Sequence, residues 1–154
     1  MGGRYVIERF GELPDGRAVE RVRIGSGAMR AEFLTYGARV KSLHLDGHAR
    51  SLVLGTSHIE PYLKHMAYYG ALVGRFANRI GNAGFSIDGE RFDTTRNFRG
   101  GHTLHGGHDG LHGRLWQIAD AGTDHVVFTL VSPDGEEGFP SRLDVTARYE
   151  IVST

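Results

Sequence analysis

The chain has 154 residues, a length that favours a single domain (1–154) with a core large enough to need no disulfide or metal. Its 18 basic and 18 acidic residues give a formal net charge of +0, which argues against nucleic acid or an anionic membrane as a partner. Cys is 0, which excludes thiol catalysis, and no apolar run reaches the ~18 residues of a membrane helix. Without a long apolar signal segment at its start, the chain is expected to be cytoplasmic.

Short strands separated by turns dominate the pattern of the chain. Gly is 23, and Asp-Gly pairs such as Asp88-Gly89 tolerate the positive φ of hairpin turns. Helix signal is poor, with at most a turn or two in Ile59–Tyr69. Val19–Ile24 is expected to turn back through Gly25-Ser26-Gly27. The other predicted strands are Ala31–Tyr36, Arg39–Leu45, Ser51–Leu54, the hairpin Gly84–Ile87 with Glu90–Asp93, His125–Val131 and Arg142–Ile151.

The last predicted strand shows the clearest alternation. Every second residue is apolar, which indicates one buried face; that face consists of Leu143, Val145, Ala147, Tyr149 and Ile151. The nearly all-apolar His125–Val131 is predicted to be its buried partner strand. Many short strands with turn signals between them indicate an all-β fold, an antiparallel sandwich or barrel.

Asn97–Gly113 breaks this rhythm as a long glycine-rich loop, a kind of segment that is usually functional or disordered. It carries four histidines, His102, His105, His108 and His112. They could hold a metal, although their spacing matches no specific zinc pattern. Alternatively, His105 is one positioned side chain, anchored by Leu104, and Gly106-Gly107 leave space for a polar ligand.

Two further segments could carry chemistry. In Gly74–Ile80, Arg75 and Arg79 offer forked donors for several hydroxyls, with Asn78 beside one of them. In Ser132–Pro140, the adjacent Glu136 and Glu137 would point apart on an extended loop. That makes them a poor acid–base pair, and a structural turn is the favoured interpretation.

These segments together resemble the aldose 1-epimerase (galactose mutarotase) family. Gly74-Arg75-Phe76-Ala77-Asn78-Arg79-Ile80 resembles its G-R-x-A-N-R-I block, and Phe85–Gly89 its F-x-L-D-G turn. Leu104-His105-Gly106-Gly107, with Gly110 and Trp116, resembles its L-H-G-G…G…W block. Ser132–Pro140 resembles its S-P-D-G-E-E-G-[FY]-P loop, so four blocks occur in the family's order.

The resemblance implies a large antiparallel β-sandwich that interconverts the α and β anomers of galactose or glucose without a cofactor. It implies that Asn78, Arg79 and His105 bind the sugar. The family's acid histidine and base glutamate lie beyond the S-P-D-G-E-E-G loop and have no counterpart here, so no catalytic residue is assigned. We therefore expect an N-terminal half of the family's domain, with little or no activity alone, which self-associates or requires the missing half.

Two alternatives come from other classes of protein. One is a sugar-binding or vestigial module that retains the Asn78, Arg79 and His105 donors without catalysis. The other is a small β-barrel metalloprotein that uses the loop histidines. No metal is expected in the favoured interpretation, and a small aldose is the expected partner.

Overall fold

The computed structural model describes residues 5–152. Within that range there are eleven strands, and every strand pairing is antiparallel. The strands are β1 (Val6–Glu12), β2 (Ala18–Ser26), β3 (Met29–Leu34), β4 (Arg39–Leu45), β5 (Arg79–Ile80), β6 (Gly84–Ile87), β7 (Glu90–Asp93), β8 (Thr103–Leu104), β9 (Gln117–Ala121), β10 (His125–Ser132) and β11 (Leu143–Glu150). Single 3₁₀ turns occur at Gly81–Ala83, Leu111–Gly113 and Glu136–Gly138. None of the helical segments in residues 5–152 is long and apolar enough to cross a membrane.

Two sheets pack face to face around the main core. One has the strand order β1-β2-β3-β4 and the other β11-β10-β9. Their inward side chains form one apolar cluster, which includes Val22, Ile24, Phe33, Val126, Phe128 and Leu130. Burial of these alternating residues drives the layers together. The predicted all-β antiparallel sandwich is confirmed.

Strand β11 follows its predicted alternation. Its outward residues are exposed, whereas Val145, Ala147 and Tyr149 pack against the core. The Tyr149 ring lies 4.6 Å from that of Phe33, and its hydroxyl donates to the Ala38 carbonyl at 2.8 Å. This strand is therefore attached to the opposite sheet by both an aromatic contact and a hydrogen bond.

Ser51–Leu54 was expected to be a strand, and that prediction is wrong. The Leu52 N–H donates to the Leu43 carbonyl at 2.7 Å, but the Leu43 N–H donates to the Ser51 hydroxyl at 3.1 Å. The same hydroxyl donates to the Val53 carbonyl at 2.8 Å. Because a serine side chain takes the place of a backbone partner, the strand ladder does not continue.

The pattern also missed or misplaced three features. Strand β2 runs through Ser26, which pairs with Met29, so the chain turns at Gly27 (φ +56°) and not across Gly25–Gly27. Strand β1 was not predicted because a register shift between Arg9 and Gly11 interrupts its alternation. Strand β9 is rich in Ala and Asp, which carry little strand signal.

The segment 59–69 forms consecutive turns and no regular helix, as expected. The Tyr62 N–H donates to the Ile59 carbonyl and the Lys64 N–H to the Pro61 carbonyl, at 3.0 and 3.1 Å. By contrast, the segment 97–113 is not a continuous loop. Thr103–Leu104 forms strand β8 and pairs with strand β5.

Candidate functional site

The short β5–β8 ladder joins the two segments that the sequence singled out. Arg79 pairs with Leu104, which places Asn78 beside His105. The Asn78 N–H donates to Nδ1 of His105 at 3.0 Å, and the His105 N–H donates to the Asn78 carbonyl at 2.9 Å. Both residues have positive φ, +66° and +51°, which is uncommon outside glycine and marks a backbone held by its contacts.

The contact with Asn78 decides which nitrogen of His105 carries the proton. Since Nδ1 accepts a hydrogen bond, the neutral ring carries its proton on Nε2. Partial burial lowers the pKa of His105, and the Arg79 charge lowers it further. At neutral pH, His105 is therefore an uncharged Nε2–H donor that sits beside a cation.

Arg79 is exposed and lies on an aromatic ring. Its Cζ is 4.6 Å from the centre of the Phe98 ring, and Nη1 donates to Oδ1 of Asn78 at 2.7 Å. Within residues 5–152 this is its one side-chain hydrogen bond, so its other N–H groups are available to a ligand. Asn97, which precedes Phe98 in the chain, is joined to strand β8: its side-chain amide donates to the Leu104 carbonyl at 2.9 Å and accepts from the Leu104 N–H at 2.7 Å.

Arg75 does not share this role, although the sequence grouped it with Arg79 as a hydroxyl donor. Its guanidinium donates to the Ser132 hydroxyl and to the carbonyls of Ser132, Pro133, Pro140 and Ser141, at 2.7 to 3.0 Å. All three nitrogens are committed to these acceptors. Arg75 is a tie between its own segment and the 132–141 turn.

The sequence indicated that Gly106 and Gly107 leave space for a ligand, and that prediction is wrong. A Cβ on Gly106 would lie 1.7 Å from the Gly74 carbonyl oxygen. A Cβ on Gly107 would lie 2.1 Å from Oε2 of Glu137. These glycines permit protein segments to pack closely against one another.

Glu136 and Glu137 point in different directions, as expected for a structural turn. Glu136 accepts from the Ser132 hydroxyl and pairs with Arg114. Glu137 accepts the backbone N–H groups of His108 and Asp109, at 3.2 and 2.8 Å. Each carboxylate holds a different segment in place.

The four loop histidines do not converge on a metal site. Among residues 5–152, no three His, Cys, Asp or Glu side chains stand close enough together to hold a metal ion. His102 accepts the Asn82 N–H on Nδ1 at 3.0 Å, His108 is exposed and His112 is buried. The geometry therefore argues against the metalloprotein alternative.

An open pocket of about 510 Å³ adjoins Arg79. Its walls are mainly apolar and aromatic, and they consist of Arg75, Phe76, Arg79, Ile80, Gly81, Phe85 and Phe139. Phe76 is 52% exposed at its mouth. Hydrogen-bond donors beside an aromatic surface suit a ring that has hydroxyls at its edge and C–H groups on its faces.

Sequence reasoning missed the residues that support this site. Asn97 and Phe98 belong to no recognisable motif. Their role depends on strand β8, and a strand of two residues is too short to be predicted from alternation. Tyr68 was also missed; its ring centre lies 4.7 Å from that of His105. It belongs to the turns of 59–69, where no pattern indicates which side chain points towards the loop.

Comparison with known proteins adds sequence relatives. A family model described as aldose 1-epimerase matches residues 20–154. Galactose mutarotase from Rattus norvegicus is 39% identical over 148 residues, which are 92% of this chain and 42% of the relative. Aldose 1-epimerase from Haemophilus influenzae is 38% identical over 142 residues, 90% of this chain and 41% of the relative. The chain thus spans less than half the length of these relatives.

Solved structures agree on the fold. A galactose 1-epimerase from Lactobacillus acidophilus superposes with a TM-score of 0.81 at 26% identity, over 96% of this chain and 44% of that structure. The GalM/aldose epimerase homologue from C. elegans superposes with a TM-score of 0.77 at 32% identity, over 84% of this chain and 41% of that structure. The sandwich is therefore of the galactose mutarotase type.

Proposed function

The chain belongs to the aldose 1-epimerase family, and from that premise we propose that it binds an aldose such as galactose through Asn78, Arg79 and His105. One observation carries the proposal: the β5–β8 ladder joins these three residues of two distant motifs through hydrogen bonds, from the backbone N–H of Asn78 to Nδ1 of His105 and from Nη1 of Arg79 to Oδ1 of Asn78. Asn78 and Arg79 are exposed and His105 is half-buried, so the site opens to solvent.

Each group has a task in the interconversion of sugar anomers. The reaction removes the proton of the anomeric hydroxyl, protonates the ring oxygen, and lets the open aldehyde rotate before the ring closes again. Nε2–H of His105 and the N–H groups of Arg79 donate to hydroxyls or to the ring oxygen, and so hold the sugar in place. The Asn78 amide fixes Arg79 and offers its own N–H groups.

The proposal for this chain alone is binding with little turnover. Anomer interconversion needs a base as well as an acid. Within residues 5–152, no carboxylate forms a hydrogen bond or ion pair with His105 or Arg79. The three residues themselves supply donors that position a sugar, and none of them carries a carboxylate that could act as the base.

Calorimetric titration with D-galactose tests the proposal. We expect weak binding by the wild-type chain, because the site is shallow, and roughly fivefold weaker binding by Arg79→Ala and His105→Ala, about 1 kcal/mol for each lost hydrogen bond. Arg17→Ala and His48→Ala are the matched controls, since both residues are exposed and lie outside the site. Galactitol, which has the hydroxyls but no ring, controls for non-specific polyol binding. Equal affinities in all variants would reject the site.

A further inference from the structure

The Tyr68 ring packs against two imidazoles. Its centre is 4.7 Å from that of His105 and 4.6 Å from that of His112, with interplanar angles of 57° and 53°. His105 is thus restrained by the hydrogen bond from Asn78 and by its contact with the Tyr68 ring. His112 is buried, with 5% of its surface exposed, so Tyr68 also contacts a group that is packed into the interior.

One guanidinium holds the backbone of His112 and of the residues on either side of Tyr68. Arg39 is completely buried, and its Nη2 donates at 3.2 Å to the carbonyls of both Ala67 and His112. Nη1 donates to the Tyr69 carbonyl at 3.4 Å. Ala67 precedes Tyr68 in the chain and Tyr69 follows it. The segment that carries Tyr68 and the turn that carries His112 are therefore anchored to the same side chain.

Arg39 is itself held rigidly. Its Cζ lies 4.9 Å from the Tyr36 ring centre and 4.5 Å from that of Tyr62, and Nε donates to the Tyr36 carbonyl at 2.7 Å. No carboxylate among residues 5–152 pairs with it, and burial lowers its pKa to about 10. The group remains a cation at neutral pH, surrounded by carbonyl oxygens and aromatic faces.

We propose that Tyr68, anchored by Arg39 and backed by His112, is a positioning residue that fixes the orientation of the His105 imidazole. The proposal rests on the proposed function, in which Nε2–H of His105 is a sugar donor. A hydrogen bond weakens steeply as its angle departs from linearity, so the direction of this N–H controls its strength. The single bond to Nδ1 restrains His105 at one edge, and the Tyr68 ring prevents it from swinging about that edge.

The test reads the His105 ring directly, by ¹⁵N-edited NMR at a fixed pH of 7.5 and without sugar. Tyr68→Leu removes the ring, and we expect averaged nitrogen shifts for His105, because the unsupported imidazole leaves its hydrogen bond to the Asn78 N–H for part of the time and then loses its fixed Nε2–H tautomer. Tyr68→Phe keeps the ring and is expected to leave the pattern unchanged, because the phenol oxygen makes no hydrogen bond within residues 5–152. Wild-type His105 signals in Tyr68→Leu would overturn the proposal.

A second variant tests the anchor. Arg39→Lys keeps the charge and loses the forked contacts, and we expect it to shift the His105 nitrogen signals in the same direction as Tyr68→Leu. If Arg39→Lys does not fold, Tyr68→Leu decides alone, since Tyr68 is 38% exposed and its replacement leaves the core intact. A folded Arg39→Lys with wild-type His105 signals would remove Arg39 from the proposal.

Galactose affinity separates this proposal from the proposed function. We expect several-fold weaker binding by Tyr68→Leu and unchanged binding by Tyr68→Phe. If the wild-type chain binds no galactose, the proposed function fails, yet the NMR comparison still decides whether Tyr68 orients His105. If galactose binds and Tyr68→Leu binds it equally well, the positioning role fails and the binding site stands.

Discussion

Two arginines four positions apart in one motif have different fates, and their hydrogen bonds explain why. The guanidinium of Arg75 donates to the 132–141 turn with all three nitrogens, whereas Arg79 keeps most of its N–H groups available. The sequence could predict that both are donors. It could not predict the acceptors of Arg75, because they are a serine hydroxyl and backbone carbonyls that lie more than fifty residues away along the chain. Residue type alone therefore identifies a capacity, and the fold decides how it is used.

In contrast to Arg75, His112 is buried without a full set of partners: its Nδ1 has no hydrogen-bond partner within residues 5–152. Burial lowers its pKa from 6.5 to about 4, and the charges of Arg39 and His105 act in the same direction. Between about pH 6.5 and pH 4 the unfolded chain takes up a proton that the folded chain resists. The free energy of unfolding must therefore fall as the pH falls through this window.

The predicted change is a loss of up to about 3 kcal/mol of stability from His112 between pH 7 and pH 4. Urea denaturation of the wild type and of His112→Leu at pH 7, 5.5 and 4 measures it. We expect the stability of the wild type relative to the variant to decline as the pH falls from 7 to 4, since leucine cannot titrate. A difference that stays constant over this range would contradict the proposed burial of a neutral imidazole.

At the scale of elements, pattern and topology contribute unequally. The alternation of β11 and the Asp88-Gly89 hairpin were predictable because local rules govern them. The β5–β8 ladder was not, because strands of two residues have no period and are held by tertiary contacts. The family resemblance could point to Asn78 and His105, but only the ladder shows how they meet.

Glu32 on β3 ties neighbouring strands together on the outer face of the four-stranded sheet. It accepts from Arg23 Nε on β2 at 2.7 Å, from Lys41 Nζ on β4 at 2.6 Å and from the Ser42 hydroxyl at 3.1 Å. Burial alone would raise the pKa of Glu32, but the hydrogen bonds from Lys41 and Arg23 outweigh it and lower the pKa to about 2. Its contribution to stability is complete above pH 4.5 and is lost as the pH falls towards 2.

Glu32→Gln is therefore expected to destabilise the chain by about 1–3 kcal/mol at pH 7, with the deficit shrinking as the pH approaches 2. Chemical denaturation between pH 7 and pH 2 measures both the destabilisation at pH 7 and its decrease at lower pH. Glu12→Gln is the matched control, because Glu12 forms an exposed pair with Arg9 that is worth under about 1 kcal/mol. A deficit that does not depend on pH would show that the carboxylate charge is not the stabilising feature.

At the scale of the whole molecule, the class of fold was predictable from alternation and turns, while the packing of its site was not. The glycines of the 97–113 segment illustrate the difference. Sequence reasoning assigned Gly106 and Gly107 to ligand space, yet they accommodate Gly74 and Glu137. A glycine in a motif states only that a side chain is excluded, and the group that excludes it must be read from the structure.

The sheet edge formed by β11 leads to a prediction about assembly. Within residues 5–152, β11 pairs with β10 on one side, and Leu143 on its inner face is 41% exposed. An open edge with apolar side chains favours pairing between chains. We expect sedimentation velocity to show concentration-dependent association that Leu143→Lys weakens and Leu54→Lys, at an exposed position elsewhere, does not. A single monomeric boundary at all concentrations would contradict this expectation.

One site, formed by Asn78, Arg79 and His105, is proposed to bind an aldose. The most direct measurement is an NMR titration of the isotope-labelled chain with D-galactose, which follows every backbone amide and the histidine ring nitrogens. We predict saturable shifts confined to Asn78, Arg79, His105 and the neighbouring pocket, with Nε2 of His105 among the largest. Shifts that centre on another part of the molecule, or no saturable shifts at all, would contradict aldose binding at this site.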